Sequence, residues 1–189
     1  IGRCYARQLA ALGYNVLMVA SGEEELLRSA EEVRQQSPRV WVRTWTKDLA
    51  TPTAAEELFA YTEGEGIKVD VLVNNAGIFS FCDILSTPVE RIERVIYLHD
   101  LTTTKTCRLY AEDMIKRGGG RILNMSSYSI WMPYPGLSLY SASKAYLKSF
   151  SVAFSKEVEE RGVTVTAICP AGIATDLYGL SPRLQRFGL

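Results

Sequence analysis

One histidine, His99, and four scattered cysteines, Cys4, Cys82, Cys107 and Cys169, are all that this chain of 189 residues offers a transition metal. No two cysteines form a C-x-x-C pair, so there is no ligand set for zinc, and the thiols read as small core residues in a reducing compartment. Charge of one sign is also lacking, because 21 basic residues are interspersed with 21 acidic ones. Without a net field nothing concentrates nucleic acid or an anionic membrane surface, and neither is expected as a partner. No uncharged apolar run approaches the roughly 20 residues of a membrane span, and no basic segment followed by an apolar one opens the chain. The expectation is a cytoplasmic protein. Internal repeats, linkers and low-complexity tracts are missing as well.

What remains is an ordinary globular composition, 47% apolar and 22% charged, at a length that suits a single domain over residues 1–189. Apolar patterning alternates between two periods. A helix from residue 1 ends near Gly13 and leads into an apolar strand at 15–20; an amphipathic helix follows with Leu26, Leu27, Ala30 and Val33 on its buried side. "RVWVRTWTKDL" then alternates as a strand, "TPTAAEELFAYTEG" reads as a capped helix, and "VDVLVNNAG" as a strand that breaks at its asparagines. A long helical region over 88–116, a turn at Gly118, Gly119 and Gly120, the strand "RILNMSS", a helix carrying Tyr140, and the strand "VTVTAICP" complete the series. Strands separated by helices of this length need crossover connections, so the sheet is expected to be parallel and covered on both faces: a doubly wound, three-layer α/β/α fold. Such a sheet normally begins with a strand feeding a glycine loop, whereas here a helix comes first. A chain truncated at both ends is therefore expected.

Ligands of doubly wound sheets lie beyond the carboxyl ends of the strands. Three segments arrive there. Asn74, Asn75, Ala76 and Gly77 end one strand, Ser126 and Ser127 end the next, and Tyr140 opens the helix after that. In "LYSASKAY", Tyr140 and Lys144 stand four residues apart, on one helical face. A phenol loses its proton near pH 10 in water; an adjacent ammonium lowers that value and makes the hydroxyl usable as a general acid or base. Ser127 can hydrogen-bond a carbonyl oxygen, as a developing alkoxide requires. The small residues Ser141, Ala142, Ser143 and Ala145 leave that helix face open to something flat. Trp41 and Trp45, alternating on one strand face, read as core or interface packing, and the three glycines as a helix-to-strand turn.

"NNAG", then "SS" and "YSASK" with Ser127 and Tyr140 thirteen positions apart, and "PAGIAT" from Pro170 resemble the classical short-chain dehydrogenase/reductase family over the whole chain, and "PYPGLSLYSASKAY" is similar to its hydroxysteroid and ketoacyl reductase branch. The resemblance implies a Rossmann domain in which a hydride passes between a nicotinamide cofactor and a ketone or secondary alcohol. It implies Tyr140 as catalytic acid or base, Lys144 as its charge partner and a donor to the ribose, and Ser127 as the carbonyl orienter. Ile1 and Gly2 resemble the tail of the family's glycine loop; Asp48 and Leu49 the adenine-contacting pair; Asn74, Ala76 and Gly77 the wall under the cofactor; Pro170, Ile173 and Thr175 the nicotinamide clasp. Two positions depart from the pattern. His99 stands where the family has an active-site asparagine and is counted with Ser127, Tyr140 and Lys144 as a catalytic candidate, its imidazole able to hydrogen-bond a water near Lys144; Ala171 stands where the family has glycine. These departures motivate the alternative of a catalytically silent dinucleotide-binding protein. At Ser21, after the strand at 15–20, no acid stands to repel a 2′-phosphate, which favours NADP over NAD. Tyr128, Trp131, Met132 and Tyr134 lie between Ser127 and Tyr140 and suit a lipophilic substrate. The family's habit of forming dimers or tetramers, with Phe150, Val152 and Phe154 on the Tyr140 helix, implies a homo-oligomer.

Overall fold

A computed structural model describes residues 1–171 and divides the chain into two compact units, one up to Leu49 and one from Ala50. In the first, α1 (Gly2–Ala11), β1 (Val16–Ala20), α2 (Glu23–Gln36) and β2 (Val42–Thr46) follow in order. The two strands pair in parallel from Val16 opposite Val42 to Ala20 opposite Thr46, as the intervening helix requires. Three glutamates, Glu23, Glu24 and Glu25, occupy the first turn of α2, where the helix dipole favours negative charge. Leu26, Ala30 and Val33 recur at the spacing of one face and are buried, Ala30 and Val33 in one cluster with Ala6, Ala10, Val16 and Val42. Leu27, expected on that buried side, is instead exposed, because one residue onward turns the side chain about 100° off the stripe. Arg34 crosses from α2 to β2 and gives both Nε and Nη2 to the Val42 carbonyl, at 3.0 and 2.8 Å. Trp41 and Trp45 are half-buried, with Arg43 over the Trp41 ring and Lys47 over that of Trp45.

The second unit runs α3 (Ala54–Gly64), β3 (Val71–Asn74), α4 (Val89–Ile96), a π-helical turn (Tyr97–Thr102), α5 (Thr103–Lys116), β4 (Gly120–Met125), α6 (Ser138–Val158) and β5 (Val163–Ile168). Its sheet has the order β3-β4-β5 and is parallel throughout. The helical region expected over 88–116 is unbroken, but its middle is wound as a π turn that admits an extra residue. Helices α5 and α6 pack on the sheet around the fully buried Met114, Ile122 and Val163. The glycine turn is a conformational requirement: Gly119 has φ +136°, and a Cβ there would lie 2.5 Å from the Gly162 carbonyl oxygen.

The core of this unit contains a satisfied polar cluster. Asn124, wholly buried on β4, accepts from Asn74 Nδ2 at 2.8 Å and donates to Ser151 Oγ on α6 at 2.9 Å. Thr106 on α5 donates to Asn74 Oδ1 at 3.1 Å. These bonds stitch β3, β4, α5 and α6 into one geometry, and each would leave an orphaned buried group if broken. On the other side of α6, Tyr146, Phe150 and Phe154 form a ladder of stacked rings with centroids 6.1 and 5.3 Å apart. Among the described residues no helix is long and apolar enough to cross a membrane.

Candidate active site

Tyr140 and Lys144 lie on the first two turns of α6, and both are buried, at 6% and 4% exposure. The Lys144 ammonium is 5.7 Å from the centre of the Tyr140 ring. Its Nζ donates to the Met125 carbonyl at the end of β4, at 2.9 Å, which anchors the amine at the carboxyl edge of the sheet. Ser126 adds a second tie, donating to the Lys144 carbonyl at 2.6 Å. Burial pushes the Lys144 amine down to about 8, an effect that the Asp100 carboxylate opposes.

His99 is the largest surprise of the site. It is completely buried in the π turn, where the sequence pattern suggested an imidazole beside water. Nε2 accepts from the Ile78 N–H at 2.9 Å, so the ring proton is on Nδ1, which donates to Ser143 Oγ at 2.8 Å. Ser143 in turn donates to the Tyr140 carbonyl at 2.9 Å. Both ring nitrogens are thus committed to protein. Burial, with the nearby Lys144 charge, pushes the imidazole down to about 3, so it is neutral at physiological pH. Ser143, expected to leave its helix face open, is the acceptor that fixes this tautomer. The His99 ring also meets Tyr140 edge-on at 6.0 Å, and Phe79 meets Tyr140 likewise at 5.1 Å.

Gly77, in the loop after β3, is packed into the same place. A Cβ there would lie 3.2 Å from His99 Nε2 and 3.4 Å from Lys144 Nζ, so the absent side chain keeps open the space beside the amine. Ala76 is exposed on that loop, while the Asn74 side chain turns into the core cluster, leaving only its backbone to face the loop. Ser127, half-buried, caps a short 3-10 turn (Tyr128–Trp131) by accepting from the Ser129 N–H at 3.2 Å, which leaves its own O–H to donate. Pro170 is held beside it, its carbonyl accepting from the Tyr128 N–H at 2.8 Å. Ala171 needs no glycine, since no non-glycine residue among those described has a positive φ. Ile173 and Thr175 lie outside the described residues.

Tyr128, Trp131, Met132 and Tyr134 are all exposed at roughly half their surface or more, with the Tyr128 and Trp131 rings 5.4 Å apart. Phe81, exposed on the loop after β3, lies against Gly136, whose carbonyl accepts from the Cys82 N–H at 2.9 Å. Sequence reading missed Phe81, Phe79, Ser143's role and Asp100. In the first unit, Ile1 caps α1 and Gly2 begins it; Ser21 is exposed at the carboxyl end of β1, and Asp48 and Leu49 follow β2 at the same end of that parallel pair.

Residues 1–182 match the family model for short chain dehydrogenases. The chain is 31% identical over 187 residues to the 17-beta-hydroxysteroid dehydrogenase type 3 of Danio rerio, covering 95% of this chain and 59% of that protein. It is 31% identical over 171 residues to the very-long-chain 3-oxoacyl-CoA reductase of Pyrenophora tritici-repentis, covering 89% and 50%. Among solved structures, the short-chain dehydrogenase from Sphingobium yanoikuyae in complex with NADPH superposes with a TM-score of 0.87 at 29% identity, covering 94% of this chain and 69% of the other. The chain thus spans about half the length of the curated relatives it matches. With parallel α/β architecture and motifs in the expected order, it belongs to the short-chain dehydrogenase family, and the relatives it matches include hydroxysteroid dehydrogenases and 3-oxoacyl-CoA reductases.

Proposed function

We propose that this chain is the catalytic part of an NADP(H)-dependent oxidoreductase that interconverts a ketone and a secondary alcohol on a lipophilic body. The observation that carries the reading is a buried ammonium, Lys144, held by the Met125 carbonyl beside the Tyr140 ring. The Gly77 backbone comes close to that amine with no side chain between them, which suits a dinucleotide: a ribose hydroxyl there would meet an ammonium with N–H groups to spare. When bound, the nicotinamide supplies or accepts the hydride at the substrate carbon. Tyr140 gives its hydroxyl proton to the forming alkoxide in reduction and takes it back in oxidation. Lys144 stabilises the phenolate left behind, and Ser127 donates a hydrogen bond to the substrate oxygen.

His99 has no free nitrogen for proton transfer. Its contribution is positional, tying the loop after β3 to the first turns of α6 through Ile78 and Ser143. By the family resemblance Asn74, Ala76, Gly77 and Pro170 are assigned to the cofactor wall, and Ile1, Gly2, Ser21, Asp48 and Leu49 of the first unit to contacts with the adenosine. The lack of an acid at Ser21 and the NADPH bound to the Sphingobium relative both favour NADP. Substrate class follows from the exposed Tyr128, Trp131 and Tyr134, and from relatives named for steroid and long acyl substrates. The α5–α6 face, with a shallow groove lined by Arg108, Phe154, Val158 and Arg161, is the surface for a homodimer or homotetramer.

The test is consumption of NADPH and NADH by the purified protein with a 17-ketosteroid, a long-chain 3-oxoacyl thioester and a short aliphatic ketone. Turnover with NADPH and either bulky ketone, at least about tenfold above the short one in kcat/KM, is expected. Tight nucleotide binding with no consumption across the panel would instead identify a silent dinucleotide-binding protein.

A further inference from the structure

Three groups crowd the Tyr140 ring: the Lys144 ammonium 5.7 Å from its centre, the His99 ring at 6.0 Å and the Phe79 ring at 5.1 Å. Lys144 and His99 are buried and hydrogen-bonded to protein, whereas Phe79 is only half-buried. Of the three, only Phe79 offers a ketone that approaches the phenol an apolar surface still within reach. The loop does not place this ring unaided. Arg91 on α4 gives Nη2 to the Phe79 carbonyl at 2.8 Å, and His99 Nε2 accepts from the N–H of the preceding residue, Ile78, at 2.9 Å. Donor and acceptor come from one helical rod. Arg91, Val95 and His99 recur every four residues along α4 and the π turn, so they share a face, and Val95 between them is completely buried. A charged donor makes a stronger bond to a carbonyl than a neutral one does. Gripped on both sides, the Phe79 backbone has little freedom, and its ring stays edge-on to Tyr140, an arrangement that aromatic pairs favour.

We infer that Phe79 is a specificity-determining residue of the reaction, the apolar flank on which the carbon skeleton next to the substrate carbonyl rests, and that Arg91 is the positioning residue that holds it there. The inference rests on the reading of Tyr140 as the proton donor, and it names the surface by which that site prefers a bulky ketone. A short aliphatic ketone covers little of the Phe79 ring. A fused-ring or long-chain ketone covers much more of it, and the apolar surface removed from water there favours the larger substrate.

Phe79→Ala, Arg91→Ala and Arg91→Lys in the intact protein provide the test, each assayed with NADPH against a 17-ketosteroid, a long-chain 3-oxoacyl thioester and a short aliphatic ketone. The readout is the ratio of kcat/KM between the better bulky ketone and the short one. That ratio does not depend on how much of a preparation is folded, since one population turns over both. Phe79→Ala is expected to lower it at least about tenfold and Arg91→Ala about threefold, while Arg91→Lys, which keeps a charged donor, stays within about twofold of the parent. A ratio unchanged within about twofold in Phe79→Ala overturns the proposal. A ratio that falls there but not in Arg91→Ala overturns the role given to Arg91. If the parent turns over no ketone, the same ratio is read as dissociation constants, by calorimetry with NADP+ present. A fall in Phe79→Ala then supports the flank and refutes the catalytic reading, and no fall overturns the flank itself.

Discussion

The buried neutral histidine makes a quantitative prediction about acid stability. In the unfolded chain His99 takes up a proton near 6.5, whereas burial and Lys144 hold it near 3 in the fold. Between these values the unfolded state binds a proton that the folded state does not, so the contribution is fully present above about 6.5 and is lost as pH falls toward 3. At about 1.4 kcal/mol per pH unit, the residue alone costs about 2 kcal/mol on going from about pH 7.5 to about pH 5. Asp100 acts in the opposite sense, since a raised carboxyl binds its proton more readily in the fold, so the parent curve mixes the two. His99→Gln separates them. A glutamine can accept from Ile78 with its carbonyl and donate to Ser143 with its amide, but does not titrate. Urea unfolding followed by tryptophan fluorescence at the two pH values should show the parent losing about 2 kcal/mol more than the variant on acidification, whatever packing penalty the substitution adds at both. Equal losses, within about 0.5 kcal/mol, would mean that His99 is not held neutral and that the Ile78 and Ser143 bonds do not fix its tautomer.

Gly77→Ala places a methyl group 3.2 Å from His99 Nε2 and 3.4 Å from Lys144 Nζ; it should cost about 1–2 kcal/mol in urea unfolding and weaken NADPH binding, measured by fluorescence titration, by at least about tenfold. Asn124→Leu removes the centre of the buried cluster, taking the oxygen acceptor from Asn74 Nδ2 and the amide donor from Ser151 Oγ; a loss of about 3 kcal/mol is expected by urea unfolding. Lys116→Ala, which breaks only an exposed pair with Glu112, should change stability by less than about 0.5 kcal/mol in the same assay.

Most of the architecture was legible because it depends on spacing. Helices between apolar strands force parallel pairing, and the period of Leu26, Ala30 and Val33 marks a buried face without any knowledge of its partner. The Tyr140–Lys144 relation was legible for the same reason, since four residues on a helix is a local distance. Contacts made across long separations were not. Asn74 reads as a strand-end residue for a ligand, yet its side chain finds Asn124, fifty positions away, in the core. Phe81 lies against Gly136, fifty-five positions on, and His99 reaches Ser143 across forty-four positions. Nothing in "YLHDLTTT" announces a π turn, because winding of that kind is imposed by what packs on both sides.

The measurement that reaches the centre of the account is turnover by Tyr140→Phe, which removes one hydroxyl from a ring packed between Phe79 and His99. With an active ketone and NADPH, kcat should fall by at least about a thousandfold while nucleotide affinity stays within about threefold of the parent. Turnover retained within about tenfold would show that the proton comes from elsewhere, and that the buried ammonium beside this ring serves the fold alone.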